Sequence, residues 1–192
     1  MKKITFILCF IISGLLLSGQ EFVNDKSATI LSLSGDFSSF GGDIFTTNKD
    51  PFLFSFAVAA NHFLKPGFFI GGEIDFSLSS DEDKNEVNSI GLGPKIGYMF
   101  GDAESHAFPY LSVGLNLYNR NINYRNSDEI DLVGTDVVLG AGLVFEIENH
   151  LGILVNGSYH LLSLKEWDTK EHFSGNYFSL SIGLTGFFYN TK

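Results

Sequence analysis

Cysteine is nearly missing from this chain: of 192 residues only Cys9 carries a thiol, and it lies inside an apolar N-terminal stretch. A disulfide scaffold and a Cys-based zinc site are therefore excluded for the rest of the chain. Cations are scarce too, with 12 Lys plus Arg against 22 Asp plus Glu and a net charge of -10, a balance that excludes a nucleic-acid partner. Proline is limited to 4 positions and tryptophan to 1. Beyond the first segment no apolar run approaches the ~18 residues of a membrane-spanning helix. Disorder is equally excluded, because 44% of the residues are hydrophobic and 20 are Phe. With 21 Gly and few charges, the composition suits many short strands joined by turns.

The N-terminus reads as a secretory signal peptide over residues 1–19. Lys2 and Lys3 make a positive n-region, Ile4 to Leu17 an apolar h-region too short to span, and Ser18 and Gly19 a small-residue cleavage site. Its removal would take Cys9 with it and make the exported chain, residues 20–192, still more acidic. That remainder is expected to be one domain.

Period-two alternation then fills the chain. Phe54, Phe56, Val58 and Ala60 alternate with Ser55, Ala57, Ala59 and Asn61; Ile70, Ile74, Phe76 and Leu78 alternate with Gly71, Glu73, Asp75 and Ser77. The same division runs through Ile90 to Phe100, Tyr110 to Leu117, Asp136 to Ile147, Leu151 to Leu161 and Phe178 to Phe188, and more weakly around Leu31, Leu33 and Phe37. Eight strands are expected. The connections near Lys65–Gly67, Gly101–His106 and Glu148–His150 are short. Those over Gly41–Asp50, Ser79–Asn88, Asn119–Leu132 and Lys165–Gly175 are longer and polar, the pattern of an up-and-down barrel across an outer membrane, with long loops outside and both termini in the periplasm.

A soluble barrel of eight strands turns its large apolar residues inward. Here one face is Gly, Ser and Asn with scattered charges, too small and polar for an apolar ligand interior, so the bulky face belongs against lipid. The reverse orientation would put Lys95 and several acids into hydrocarbon, at ~2–4 kcal/mol for a midplane Lys. The fold class expected is all-β: an eight-stranded antiparallel up-and-down transmembrane β-barrel. Pro94 stands inside the fourth strand, where it cannot donate to the ladder, and a bulge or local distortion is expected there.

At these strands a resemblance appears. Gly91-Leu92-Gly93-Pro94-Lys95-Ile96-Gly97-Tyr98 and Phe108-Pro109-Tyr110-Leu111-Ser112-Val113-Gly114 resemble the central strands of the small outer-membrane β-barrel domain family of Gram-negative bacteria. The resemblance implies insertion by the outer-membrane assembly machinery. Family members close on a C-terminal aromatic; here Phe188-Tyr189 are followed by Asn190, Thr191 and Lys192, and Gly186 stands where a large apolar residue is common.

The candidate site is a polar network in the lumen: Asp36, Glu73, Asp75, Lys95, Asp136, Glu146 and His160, with Lys95 the counter-charge of Glu73 or Asp75. Ionisable groups at membrane depth are expensive unless paired or wet. Ser158 and His160 share one face, but both point inward, whereas a hydrolase acting on membrane lipid from its outer wall needs them outward. The acidic run Asp81 to Glu86 lacks the central Gly and twelfth-position acid of a calcium loop. Asn156-Gly157-Ser158, though a glycosylation pattern, falls in a strand. Phe52, Phe54, Tyr98, Phe100, Tyr159, Phe188 and Tyr189 are candidates for interfacial girdles. The expected role is non-enzymatic, structural or adhesive, in contact with outer-membrane lipid and lipopolysaccharide as a monomer, without cofactor or metal. A small pore using the lumen charges and a lipid hydrolase are the alternatives.

Overall fold

Side chains that alternate between large and small leave the backbone extended, and the chain folds into eight strands: β1 (Thr29–Gly42), β2 (Phe52–Lys65), β3 (Phe68–Ser80), β4 (Glu86–Met99), β5 (Ala107–Asn123), β6 (Ile130–Glu148), β7 (Leu151–Glu166) and β8 (His172–Phe188). The computed structural model describes residues 28–42, 52–80, 86–101, 105–123, 130–148 and 150–188. The expected signal segment and Cys9, the acidic run over 81–85 and residues 189–192 lie outside them. Each strand pairs antiparallel with its neighbours in sequence. β8 pairs back onto β1, from Thr29↔Phe188 to Gly42↔Gly175, so the sheet is a closed barrel. Closure leaves no row of unpaired backbone groups facing hydrocarbon.

Following direct partners round the wall from Thr29 through His62, Ile70, Ile96, Val113, Leu139, Tyr159 and Phe178 returns to β1 at Ser39, ten residues further on. An even offset keeps every side chain on its own face through a full circuit. A stagger of this size tilts the strands by about 35–45°.

The faces are divided as the alternation predicts. Outward positions on alternate strands, from Leu31, Ile70, Leu111 and Leu151 at the short-turn side to Phe37, Leu78, Leu117 and Leu161 at the other, hold no Asp, Glu, Lys or Arg. Leu117 is 71% exposed while Asp136 is 0% exposed, the reverse of a barrel built for water. Tyr98 and Phe100 pack edge to face at the short-turn rim, with ring centroids 4.9 Å apart. Tyr159 stands deeper in the apolar band, paired with Leu139 and Phe178 rather than at a rim.

Two expectations need correction, and a third is met in one of its two forms. First, the interior is not uniformly small and polar: at the short-turn end Ile30, Phe63, Phe69, Met99, Phe108, Tyr110, Val144, Leu154 and Phe187 form a buried apolar cluster. A second cluster of Tyr118, Leu132, Leu162 and Leu164, with Ile122, Ile130, Phe173 and Tyr177 against it, lines β5 to β8 toward the other end. Second, strands continue into stretches that read as loops. β5 runs to Asn123, β6 starts at Ile130, and Lys165 pairs with His172. Above the headgroups the outward side meets water, so the sense of the alternation inverts there: Asp131, Ser163 and Lys165 face out while Leu132, Leu162 and Leu164 face in. Third, of the bulge or local distortion expected at Pro94, the structure shows the local distortion and not the bulge. The β4–β5 ladder omits Gly93 and Pro94 and resumes in the same register, with Leu92↔Leu117 on one side of the gap and Lys95↔Gly114 on the other. The register shifts of the wall lie at Phe63/Lys65 and Glu146/Glu148, beside two of the three short connections.

Candidate functional site

Between the two apolar clusters the lumen is polar and holds a cavity of about 310 Å³. Its geometry follows from the tilt. Because the strands lean, side chains that stand level with one another are displaced along the ladder from the directly opposed pairs. Asp136 on β6 directly opposes Leu162 but meets His160, which opposes Val138; His160 in turn meets Ser179, which opposes Ser158. Asn116 opposes Asp136 and reaches the other way to Asp75, and Asp36 opposes both Ser55 and Ser181. The inward residues Asp36, Ser55, Asp75, Gly91, Asn116, Asp136, His160 and Ser179, one from each strand, form a polar belt. Gly91 is the gap in it, because a Cβ there would stand 2.1 Å from the Asp75 carboxylate.

Hydrogen bonds tie this belt together. His160 Nδ1 lies 2.7 Å from Asp136 Oδ2, and its Nε2 lies 3.3 Å from Ser179 Oγ. The imidazole lies flat against the Tyr177 ring, with centroids 4.0 Å apart and 9° between planes. The Asn116 amide donates to Asp75 over 3.2 Å. Below the belt Lys95 and Glu73 form a half-buried ion pair, and Asn156 Nδ2 donates to Ser158 Oγ over 2.7 Å. Above it Ser77 Oγ donates to Ser89 Oγ over 2.9 Å. The Oδ1 atoms of Asn61 and Asn156, both in the cavity lining, are buried without a protein partner, so each is placed to accept from a small molecule such as water.

Of the residues named from the sequence, Asp36, Glu73, Asp75, Lys95 and His160 line the cavity. Asp136 is sealed behind His160. Glu146 stands apart near the short-turn end, outside the cavity lining, beside the bond from its own N–H to the His106 carbonyl. Ser158 shares the wall with His160 but bonds to Asn156; the serine at the imidazole is Ser179. Sequence reading also missed Arg120, buried and lining the cavity. Its signal was present, since Ser112, Gly114, Asn116, Tyr118 and Arg120 keep one inward parity. Among the described residues no group of three or more His, Cys, Asp or Glu is arranged to hold a metal.

The profile of the outer membrane protein β-barrel domain matches residues 11–185. No curated protein matches the sequence. Among solved structures, the chain is similar to Ail, the attachment invasion locus protein of Yersinia pestis, at 14% identity, covering 85% of this chain and 99% of that one with a TM-score of 0.56. It is similar to the outer membrane protein OprG of Pseudomonas aeruginosa at 10% identity, covering 88% and 100% with a TM-score of 0.56. Neisserial surface protein A matches at 14% identity, covering 83% and 96%, also with a TM-score of 0.56. At such identities these likenesses establish a shared fold.

Proposed function

The chain belongs to the outer membrane protein β-barrel domain family, and from that premise, with the Gram-negative outer membrane as its location, we propose that it is a non-conducting barrel whose work is to display its polar strand ends and loops outside the cell. The observation that carries this reading is the apolar cluster at the short-turn end. Phe63, Phe69, Met99, Phe108 and Phe187 are each at most 5% exposed and pack across the lumen. An ion passing them would have to shed its hydration among side chains that offer no replacement. With this end in the periplasm the lumen is a blind well. The two-residue turn at Pro66 and Gly67 keeps that end compact, since Gly67, at φ +75°, holds a conformation that suits glycine. Lipid and lipopolysaccharide contact on the outer wall and a monomeric state belong to the same proposal.

Planar bilayers test it. The purified barrel is expected to give no conductance steps, and a Phe63→Ala/Phe69→Ala variant of unchanged heat-dependent gel mobility is expected to give them. Steps from the unaltered protein would overturn the blind-well reading and favour a pore. For the display role, cells carrying the barrel are expected to lose adhesion when the 81–85 and 124–129 connections are replaced by Gly-Ser. Unchanged adhesion would leave the wall alone as its contribution.

A further inference from the structure

The geometry points to a hydrolytic centre inside the lumen: Ser179 is a nucleophile activated by His160 and oriented by Asp136, acting on small neutral or cationic esters that enter the cavity from outside. A carboxylate only accepts hydrogen bonds, so the 2.7 Å contact with Asp136 places the imidazole proton on Nδ1. Nε2 then carries the lone pair and accepts from Ser179 Oγ at 3.3 Å, the arrangement in which a serine hydroxyl is made nucleophilic. Asp136 is 0% exposed and out of reach of the cavity, so it positions His160 and touches no substrate. Stacking on Tyr177 fixes the ring from its flat side. Both His160 and Ser179 line the cavity.

A third group stands beside them. Ser158 directly opposes Ser179 across the β7–β8 ladder, which puts the two Cβ atoms about 4.5–5.5 Å apart. Its oxygen already accepts from Asn156 Nδ2, so its hydroxyl hydrogen is left to donate to an oxygen developing negative charge near Ser179. The volume of about 310 Å³ admits a short acyl ester and excludes a lipid. Asp36 and Asp75, on the same belt, disfavour anionic substrates. The expectation of a non-enzymatic barrel rested on Ser158 and on lipid as substrate; Ser179 and a lumenal substrate change both terms.

The reaction balances without a cofactor. Ser179 Oγ bonds to the ester carbonyl carbon as its proton passes to His160 Nε2, and the carbonyl π pair moves onto oxygen beside Ser158. Return of that pair breaks the bond to the leaving alkoxide, which takes the Nε2 proton and departs as an alcohol. Water then gives a proton to Nε2 and its hydroxide oxygen to the acyl carbon. Ser179 leaves with the returned proton, and a carboxylic acid is released.

The test is covalent labelling of the folded barrel, in detergent, with a small fluorophosphonate, alongside hydrolysis of p-nitrophenyl acetate. The adduct is expected on the Ser179 peptide by mass spectrometry. Ser179→Ala should abolish both label and turnover, and His160→Gln should slow them at least about a hundredfold. Asp136→Asn should lose activity and Asp136→Glu recover part of it, a rescue that a packing role does not produce. Heat-dependent gel mobility identifies variants that fail to fold, and for those the Ser158→Ala rate, expected to fall while Ser179 still labels, serves instead. An unlabelled wild-type barrel, label on another serine, or a rate indifferent to His160→Gln would overturn the proposal. None of these outcomes bears on the bilayer measurement.

Discussion

Lys95 and Glu73 answer one another across β3 and β4 inside the wall, and removing Lys95 leaves Glu73 facing the like charges of Asp36 and Asp75 in a confined volume. Lys95→Ala is expected to lose about 2 kcal/mol, the scale of a charged hydrogen bond, in urea unfolding from lipid vesicles followed by the fluorescence of Trp167. Lys95→Ala combined with Glu73→Gln should recover most of that loss, because position 73 then adds no uncompensated negative charge beside Asp36 and Asp75. On the opposite face, Leu139→Arg is expected to cost about 2–4 kcal/mol in the same measurement. Individual lumen residues were legible in the sequence wherever a strand was recognised, because parity alone places Asp36, Glu73, Asp75, Lys95, Asp136 and His160 inside. Which of them meet was not legible. Ser179 lies 19 residues beyond His160, and only the register of β7 on β8, with the tilt, brings the two together.

Among the elements, β4 is the strand whose ladder is interrupted at a proline, and a glycine stands next to that proline. Beside Pro94 the Leu115 carbonyl presses toward β4, and a Cβ on Gly93 would stand 2.0 Å from it. Gly93→Ala is therefore expected to lower the unfolding midpoint, whereas Pro94→Ala, which returns an N–H to the β5 side, should raise stability by about 0.5–1.5 kcal/mol. A lower midpoint for Pro94→Ala would show that the gap is satisfied in another way. Strand existence was legible throughout the chain and strand ends were not. The rule of large outward and small inward holds only while the outer solvent is hydrocarbon. Above that level Asn119, Asn121 and Asn123 face water, so their polarity imitates a loop although the ladder continues to Glu86↔Asn123.

For the molecule as a whole, bulk and polarity were legible as two faces but not as three storeys. Phe63, Phe69, Phe108 and Phe187 follow inward parity as faithfully as Ser55 or Ser179. In a chain with 20 Phe, an inward ring reads like one more lipid contact until the register shows it meeting others across the axis. The seam between β1 and β8 carries a kinetic consequence. Its pairs join residues such as Thr29 and Phe188, partners from opposite extremes of the described chain, and contacts so distant in sequence are slow to form because loop-closure entropy precedes any reward. Until the final strand arrives, β1 and β7 each present an unzipped margin that acyl chains cannot solvate. Premature termination before His172 should therefore yield a protease-sensitive species caught at the bilayer surface rather than a shortened cylinder.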